Sequence, residues 1–268
     1  MMKLTTRSVE KPWGRDTLPA PFPPPHGGAR IGEIWFVPPP ELPSLLVKYI
    51  FTSEKLSVQV HPSDAQAAAM GESDGGKEEC WLVIDAEPGA TLGVGFRGPV
   101  DAEALRAAAL DGSIEEMLVW HPVSTGDFFY IPAGTVHAIG AGVSLIEIQQ
   151  NSDITYRLYD YGRPRELHLD RGVAVARGVP LDPALRRVIP PEGTVELASG
   201  PYFTAHRVDG VPGAALADAY AGPCLIVPRR GDAVVEGEAV RPGECASAPG
   251  IGAVRFDPAG QTIVIRPA

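Results

Sequence analysis

Gln59 and His61 stand two residues apart in the segment LSVQVH, residues 56–61. In an extended strand alternate side chains face the same side, so an amide oxygen and an imidazole nitrogen project together, about 6–7 Å apart along the backbone, while Val58 and Val60 face the other way. That spacing lets both groups converge on one metal ion. Taken alone, a histidine that simply ends a strand before Pro62 is the commoner case.

Further along, Lys48 interrupts the apolar run PSLLVKYIF. A central strand rarely carries a lysine, so it either lines an interior or snorkels at a strand edge, and the residues alone leave these even. Glu147 lies in SLIEIQQ with Leu145 and Gln149 on its face, and a carboxylate there needs a partner or water; Arg157, in TYRLYD, could be that partner. Lys77 shares a face with Glu79 if their strand begins early, and otherwise is a loop lysine after Asp74-Gly75-Gly76. Asp64 is placed to cap a short helix after Pro62.

The elements that must position these groups are short. Gly (30) and Pro (28) are abundant and scattered, which favours many brief strands joined by tight turns and a mainly β class. Strand character falls at 32–37, 45–52, 56–61, 80–85, 91–94, 127–131, 136–139, 144–150 and 155–159. One helix is expected over 101–118, where Leu105, Ala109, Ile114 and Leu118 recur at near-helical spacing and Gly112 can divide it. A second β-rich block runs from 188, with strands at 224–227, 233–235, 244–248 and 262–265. The proline-rich stretches 16–30 and 37–43 read as extended loops, and 18–25 either closes over a cavity mouth or lies idle on the surface. GDFFYIPAG in the first block and GECASAPGIG in the second share a rhythm of turn, strand, Pro and Gly, which suggests a duplicated β unit.

A net charge of −10 argues against general attraction to nucleic acid, so an anionic ligand must meet local positive groups. Cys80, Cys224 and Cys245 are odd in number and lack metal or redox spacing, which implies no disulfide framework and fits a reducing cytoplasm. The N-terminal MMKLTTRSVEKPWGRD is polar where a signal peptide would be apolar, and no stretch approaches the roughly 18 apolar residues of a membrane span. No membrane partner is expected.

The stretch 126–137, with Gly126, Pro132, Gly134 and His137 at set intervals, resembles the second motif of the cupin superfamily, where Gly and Pro-x-Gly shape tight turns and the His enters a barrel as a metal ligand. The first cupin motif ordinarily offers H-x-H followed closely by Glu; here the pair is Gln59-x-His61 and the Glu is delayed to 78 or 79. With LLVKYIFTSEKLSVQVHPSD, GKEECWLVIDAEPGA and GDFFYIPAGTVHAIGAGVSLIEIQQNSDITYRLYDYGR, residues 31–163 resemble the type I mannose-6-phosphate (phosphomannose) isomerases, in a short bacterial-type form. Ala86 and Ala141 replace a Gly and an Asn of the cupin motifs, at turns and not at ligands.

The resemblance implies that Gln59, His61, Glu79 and His137 ligate one Zn²⁺ per chain, with Glu78 at a variable position; another divalent first-row ion suits the same donors. It implies a cupin-type double-stranded β-helix (jelly-roll) barrel over 1–180, followed by a smaller cupin-like β-barrel over 181–268 without metal ligands, and few helices. The reaction implied is metal-dependent aldose-ketose isomerisation, interconverting mannose 6-phosphate and fructose 6-phosphate by proton transfer through an enediol. Arg157, Glu147, Lys77 and Lys48 would be catalytic, with Lys48, Lys77 and Arg157 also holding a small-molecule sugar phosphate. Glu147, Lys77 and a metal-bound water all remain candidates for the proton carrier. Two other readings of the metal site are a cupin that binds a sugar without turnover and an iron-dependent cupin dioxygenase. Monomer and homodimer are equally compatible with the sequence.

Overall fold

The strand Leu45–Phe51 is buried along its whole length because the sheet that contains it is covered on both faces, a situation that selects near-continuous apolar runs. The computed structural model describes residues 2–268. The seven-stranded antiparallel sheet runs in the order Arg186–Val188, Asp127–Ile131, Glu79–Ala86, Val143–Gln150, Leu45–Phe51, Ile31–Phe36, Thr6–Arg15. One face carries Ile50, Trp81, Val83, Phe129, Ile131 and Leu145, which pack with Leu92, Val94 and Ile139 of a five-stranded sheet. The opposite face carries Val47, Tyr49, Cys80, Leu82, Phe128 and Ile146, which meet Phe203, Leu225, Val227, Ile263 and Ile265 of a six-stranded sheet.

The layers continue outward on both sides. The five-stranded sheet backs onto helices through Val58, Val60, Ala138 and Leu158 against Leu105, Ala109, Ile114 and Val175. The far face of the six-stranded sheet packs through Ile226, Ala246 and Val264 on Ala233, Val235 and Phe256 of a three-stranded sheet. Two exchanges tie the front and rear of the chain together: Met2–Lys3 pairs with Ala246–Ala248 in the six-stranded sheet, and Arg186–Val188 pairs with Asp127–Ile131 in the seven-stranded one.

The expected helix divides as the sequence indicated. Ala102–Asp111 is capped by the Asp101 carboxylate accepting from Ala104 N, and it ends at Gly112 in a left-handed conformation (φ 87°) before Ile114–Met117. The proline-rich stretch neither closes over the metal cavity nor lies idle. Phe22 stacks edge-on against Tyr49 and Phe51, beside the core shared by the seven- and six-stranded sheets.

Antiparallel register places one row of directly opposed residues across all seven strands of the central sheet: Arg7, Trp35, Lys48, Glu147, Trp81, Phe129, Arg186. Directly opposed residues lie on the same side of a sheet. A shorter row crosses the five-stranded sheet: Arg157, Gln59, His137, Val94. The chemistry-bearing residues lie on or beside these two rows.

Candidate metal centre

His137 opens the strand His137–Ile139, and Gln59 sits opposite it on Val58–Val60. His61 follows that second strand, and Glu79 starts Glu79–Ala86 in the other sheet. Side chains from both sheets therefore meet between them. One ligand atom from each of His61, Glu79 and His137 lies within 4.8 Å of the other two, and all three residues are buried.

The imidazoles are set by backbone carbonyls. His61 Nδ1 lies 2.7 Å from Ile154 O and His137 Nδ1 lies 2.9 Å from Thr135 O. A carbonyl only accepts, so each Nδ1 carries the proton and each Nε2 presents a lone pair, as a metal-binding histidine requires. Those Nε2 atoms stand 3.7 and 3.5 Å from the two oxygens of Glu79. Burial, followed by the charge of Lys77, holds His61 well below the usual imidazole range. Burial likewise pulls His137 down to about 4. Both rings are neutral near pH 7.

Glu79 Oε1, although wholly buried, has no hydrogen-bond donor among the described residues. A buried carboxylate whose two oxygens each face a lone-pair nitrogen is a costly arrangement without a cation. These donors fit a borderline first-row divalent ion. Gln59 turns its amide nitrogen towards His137 Nε2 at 3.3 Å and accepts from Ser57 Oγ on its oxygen. A half-turn of the amide, which exchanges its two ends, would present the oxygen as a fourth ligand. Glu78 points elsewhere, accepting from Tyr130 OH at 2.7 Å. Cys80 faces the opposite core.

Around the triad lies a chain of alternating charge. Lys77 Nζ is 2.7 Å from Glu79 Oε2 and 3.7 Å from Glu147 Oε1, and Lys48 Nζ is 3.2 Å from the same Glu147 oxygen. Trp81 Nε1 donates to Glu147 Oε2 at 3.1 Å. Glu147 thus takes its partners from Lys48, Lys77 and Trp81, and the expected Glu147–Arg157 pair does not form: the two residues lie on strands of different sheets. Burial pushes Glu147 up, but the two ammonium charges and the hydrogen bonds outweigh it, and the carboxyl is held far down. Glu79, the second carboxylate on Lys77, is pushed up by burial and by the charge of Glu147. Lys77 contacts Glu79 although the strand begins only at Glu79.

A cavity of about 220 Å³ opens onto this cluster, lined among others by Gln59, Lys77, Lys48, Glu147 and Arg157. Arg157 Nη1 donates to Glu166 O at 2.7 Å, while its Nε is buried without an acceptor among the described residues. Burial and the neighbouring Arg165 charge lower its pKa. Lining residues that escaped the sequence reading include Lys11, Trp13, Glu33 and Arg165. The first three come from Thr6–Arg15 and Ile31–Phe36; Arg165 is held by both carboxylate oxygens of buried Asp160.

Asp64 does not cap the helix Asp64–Ala69. Ser63 does, in a reciprocal pair with Gln66, and the Asp64 carboxylate instead accepts from Gly76 N at 2.7 Å. That bond ties the segment after His61 to the segment before Lys77. Gly76 is required there, because a Cβ would stand 2.3 Å from Asp64 N. His26, His121, His168 and His206 lie away from the triad; His168 Nδ1 accepts from Arg157 N, and His206 meets Tyr220 OH.

No family model matches the chain. Among characterised proteins it is similar to the mannose-6-phosphate isomerase of Streptococcus mutans, 42% identical over 172 residues that cover 61% of this chain and 54% of that protein. It is also similar to the mannose-6-phosphate isomerase ManA of Bacillus subtilis, 44% identical over 137 residues, 49% and 43% of the two chains. The matched region spans about half the length of these relatives. Among solved structures, the mannose 6-phosphate isomerase of Bacillus subtilis superposes with a TM-score of 0.74 at 24% identity, covering 98% of each chain. A holo, zinc-bound mannose 6-phosphate isomerase superposes with a TM-score of 0.73 at 15% identity, over 99% of this chain and 98% of the other. By sequence over about half of those relatives' length, and by fold over nearly all of its own, the chain is similar to the mannose-6-phosphate isomerases.

Proposed function

We propose that the protein is a metal-dependent aldose-ketose isomerase that interconverts mannose 6-phosphate and fructose 6-phosphate. One observation carries the reading furthest. In a chain of net charge −10, the cavity beside the candidate triad is lined by five cations (Lys11, Lys48, Lys77, Arg157, Arg165) and three carboxylates (Glu33, Glu147, Asp153), with Glu79 behind Lys77 and Asp160 behind Arg165. A phosphate monoester carries close to two negative charges at neutral pH. Arg157 is the member of this set with a buried, unpaired donor and no carboxylate within ion-pair distance among the described residues, which suits it to the phosphate or to an oxyanion.

His61, Glu79 and His137, with Gln59 after its amide turns, would hold the metal, and zinc is the ion in one solved relative. A bound metal would supply Lewis acidity, polarising the substrate carbonyl and so acidifying the C–H next to it. Lys77 and Lys48 point ammonium donors into the cavity, where they can hold those oxygens as negative charge develops. Glu147 would be the carboxylate that carries the proton between the two carbons. Its basicity is suppressed while both lysines hold it, and drawing either ammonium onto substrate raises it. The division into a metal-bearing unit over 1–180 and a C-terminal β unit over 181–268 belongs to this proposal, as does a cytoplasmic setting; no helix among the described residues is long and apolar enough to cross a membrane.

The comparisons support the isomerase over a non-catalytic sugar binder or a dioxygenase. A coupled assay of mannose 6-phosphate isomerisation, with metal analysis of the same sample, tests it. Metal-loaded protein that turns over neither mannose 6-phosphate nor fructose 6-phosphate would sink the reading.

A further inference from the structure

Lys48 is a long, flexible side chain in a cavity where Glu147, its carboxylate partner, is shared with Lys77 and Trp81. A second restraint comes from the neighbouring strand. Trp35 stands directly opposite Lys48 in the seven-strand row, and the ammonium lies 4.2 Å from the centre of its ring. The indole is the aromatic face that attracts a cation most strongly. Its plane is fixed in turn: Trp35 Nε1 donates to Glu33 Oε2, and Glu33, two residues away on the same face, is buried and paired with Lys11 at 3.2 Å. On the other neighbouring strand, Arg7 also approaches the ring, at 5.4 Å. A tryptophan that merely filled space would need an acceptor for its N–H but not cations on both adjoining strands.

We propose that Trp35 is a positioning residue that fixes the Lys48 ammonium in the cavity, and that Glu33 fixes Trp35. This rests on the isomerase reading only for its consequence in catalysis; the positioning itself stands on the contacts. A side chain with several rotatable bonds gives up entropy when it is confined to one geometry. Confinement in the free enzyme moves that loss out of the catalytic cycle.

A double-mutant cycle between Trp35→Leu and Lys48→Ala tests the catalytic consequence. Trp35→Leu is expected to lower kcat/KM about tenfold while retaining one metal per chain and its melting temperature within a few degrees. The double variant is expected to be no worse than Lys48→Ala alone, and Trp35→Phe, which keeps an aromatic face, to recover part of the loss. Additive losses, or a Leu variant as active as the parent, would overturn the proposal. The second measurement needs no turnover. With ¹³C-labelled lysine, the Lys48 εCH₂ signal, assigned by its loss in Lys48→Ala, is expected upfield with two resolved protons, merging to one in Trp35→Leu. A Lys48 signal at the ordinary lysine position in the parent protein overturns the positioning, whereas a parent enzyme without turnover overturns only the isomerase reading.

Discussion

Lys48 and Glu147 stand directly opposite each other on adjacent strands, 3.2 Å apart from Nζ to Oε1, each nearly wholly buried. Removing one partner of a buried ion pair leaves the other uncompensated, at a cost of about 3–5 kcal/mol. Glu147→Gln, which leaves Lys48 without its carboxylate and Lys77 with Glu79 alone, should lower stability by that order and kcat by more than about a hundredfold. Urea unfolding and steady-state kinetics on metal-loaded protein check this, and wild-type kcat would remove Glu147 from the reaction.

His137→Ala takes away one of three converging ligands and the ring that packs edge-on against Trp81. The expected outcome is loss of stoichiometric metal along with activity. Elemental analysis after dialysis decides it; one equivalent of zinc retained would refute the ligand assignment. In the parent protein, a chelator should abolish isomerisation and added Zn²⁺ restore it.

Arg157→Ala should leave the metal in place, because the guanidinium bonds to Glu166 O and touches no ligand atom. Loss of a charge-assisted contact to the phosphate should reduce kcat/KM by roughly a hundredfold. Unchanged kcat/KM would make Arg157 a structural residue.

Gly76→Ala probes how the ligand-bearing segments are joined. The new Cβ would press on Asp64 N and Ser63 C, driving the Lys77–Glu79 segment away from His61. Displacing an outer support of a metal site typically weakens binding by about 10–100-fold. Competition with a metal indicator measures this; parental affinity would show that the segment relaxes without moving Glu79.

Much of the candidate metal centre was legible because its residues sit in short motifs with a fixed strand period: Gln59 and His61 two apart, and His137 behind its Pro-x-Gly turn. The segment Thr6–Arg15 was not. Its burial is mostly exposed until Trp13, and its pairing with Ile31–Phe36 is irregular, so it shows no alternation of apolar and polar residues to read as a strand. Lys11 and Trp13 were lost with it; Glu33 lies in the expected strand at 32–37, but without its neighbouring strand nothing marked it as facing a cavity. The Glu147–Arg157 pairing failed for a different reason. Ten residues of sequence separation say nothing about which sheet each residue joins, whereas Lys48, far upstream of Glu147, becomes its direct neighbour only once strand order is known.

The seven-residue row makes this protein intolerant of length changes in a particular way. Side chains alternate with a period of two, so one residue inserted between Leu45 and Lys48 would carry the lysine to the face now occupied by Val47 and Tyr49, where Leu225 and Ile263 form a wholly apolar wall. The charge would be buried without a carboxylate, and a valine or tyrosine would occupy its place beside Glu147. Such insertions should be purged from the strands of the row yet accepted in the turns between them, where the loops can lengthen without disturbing who faces whom.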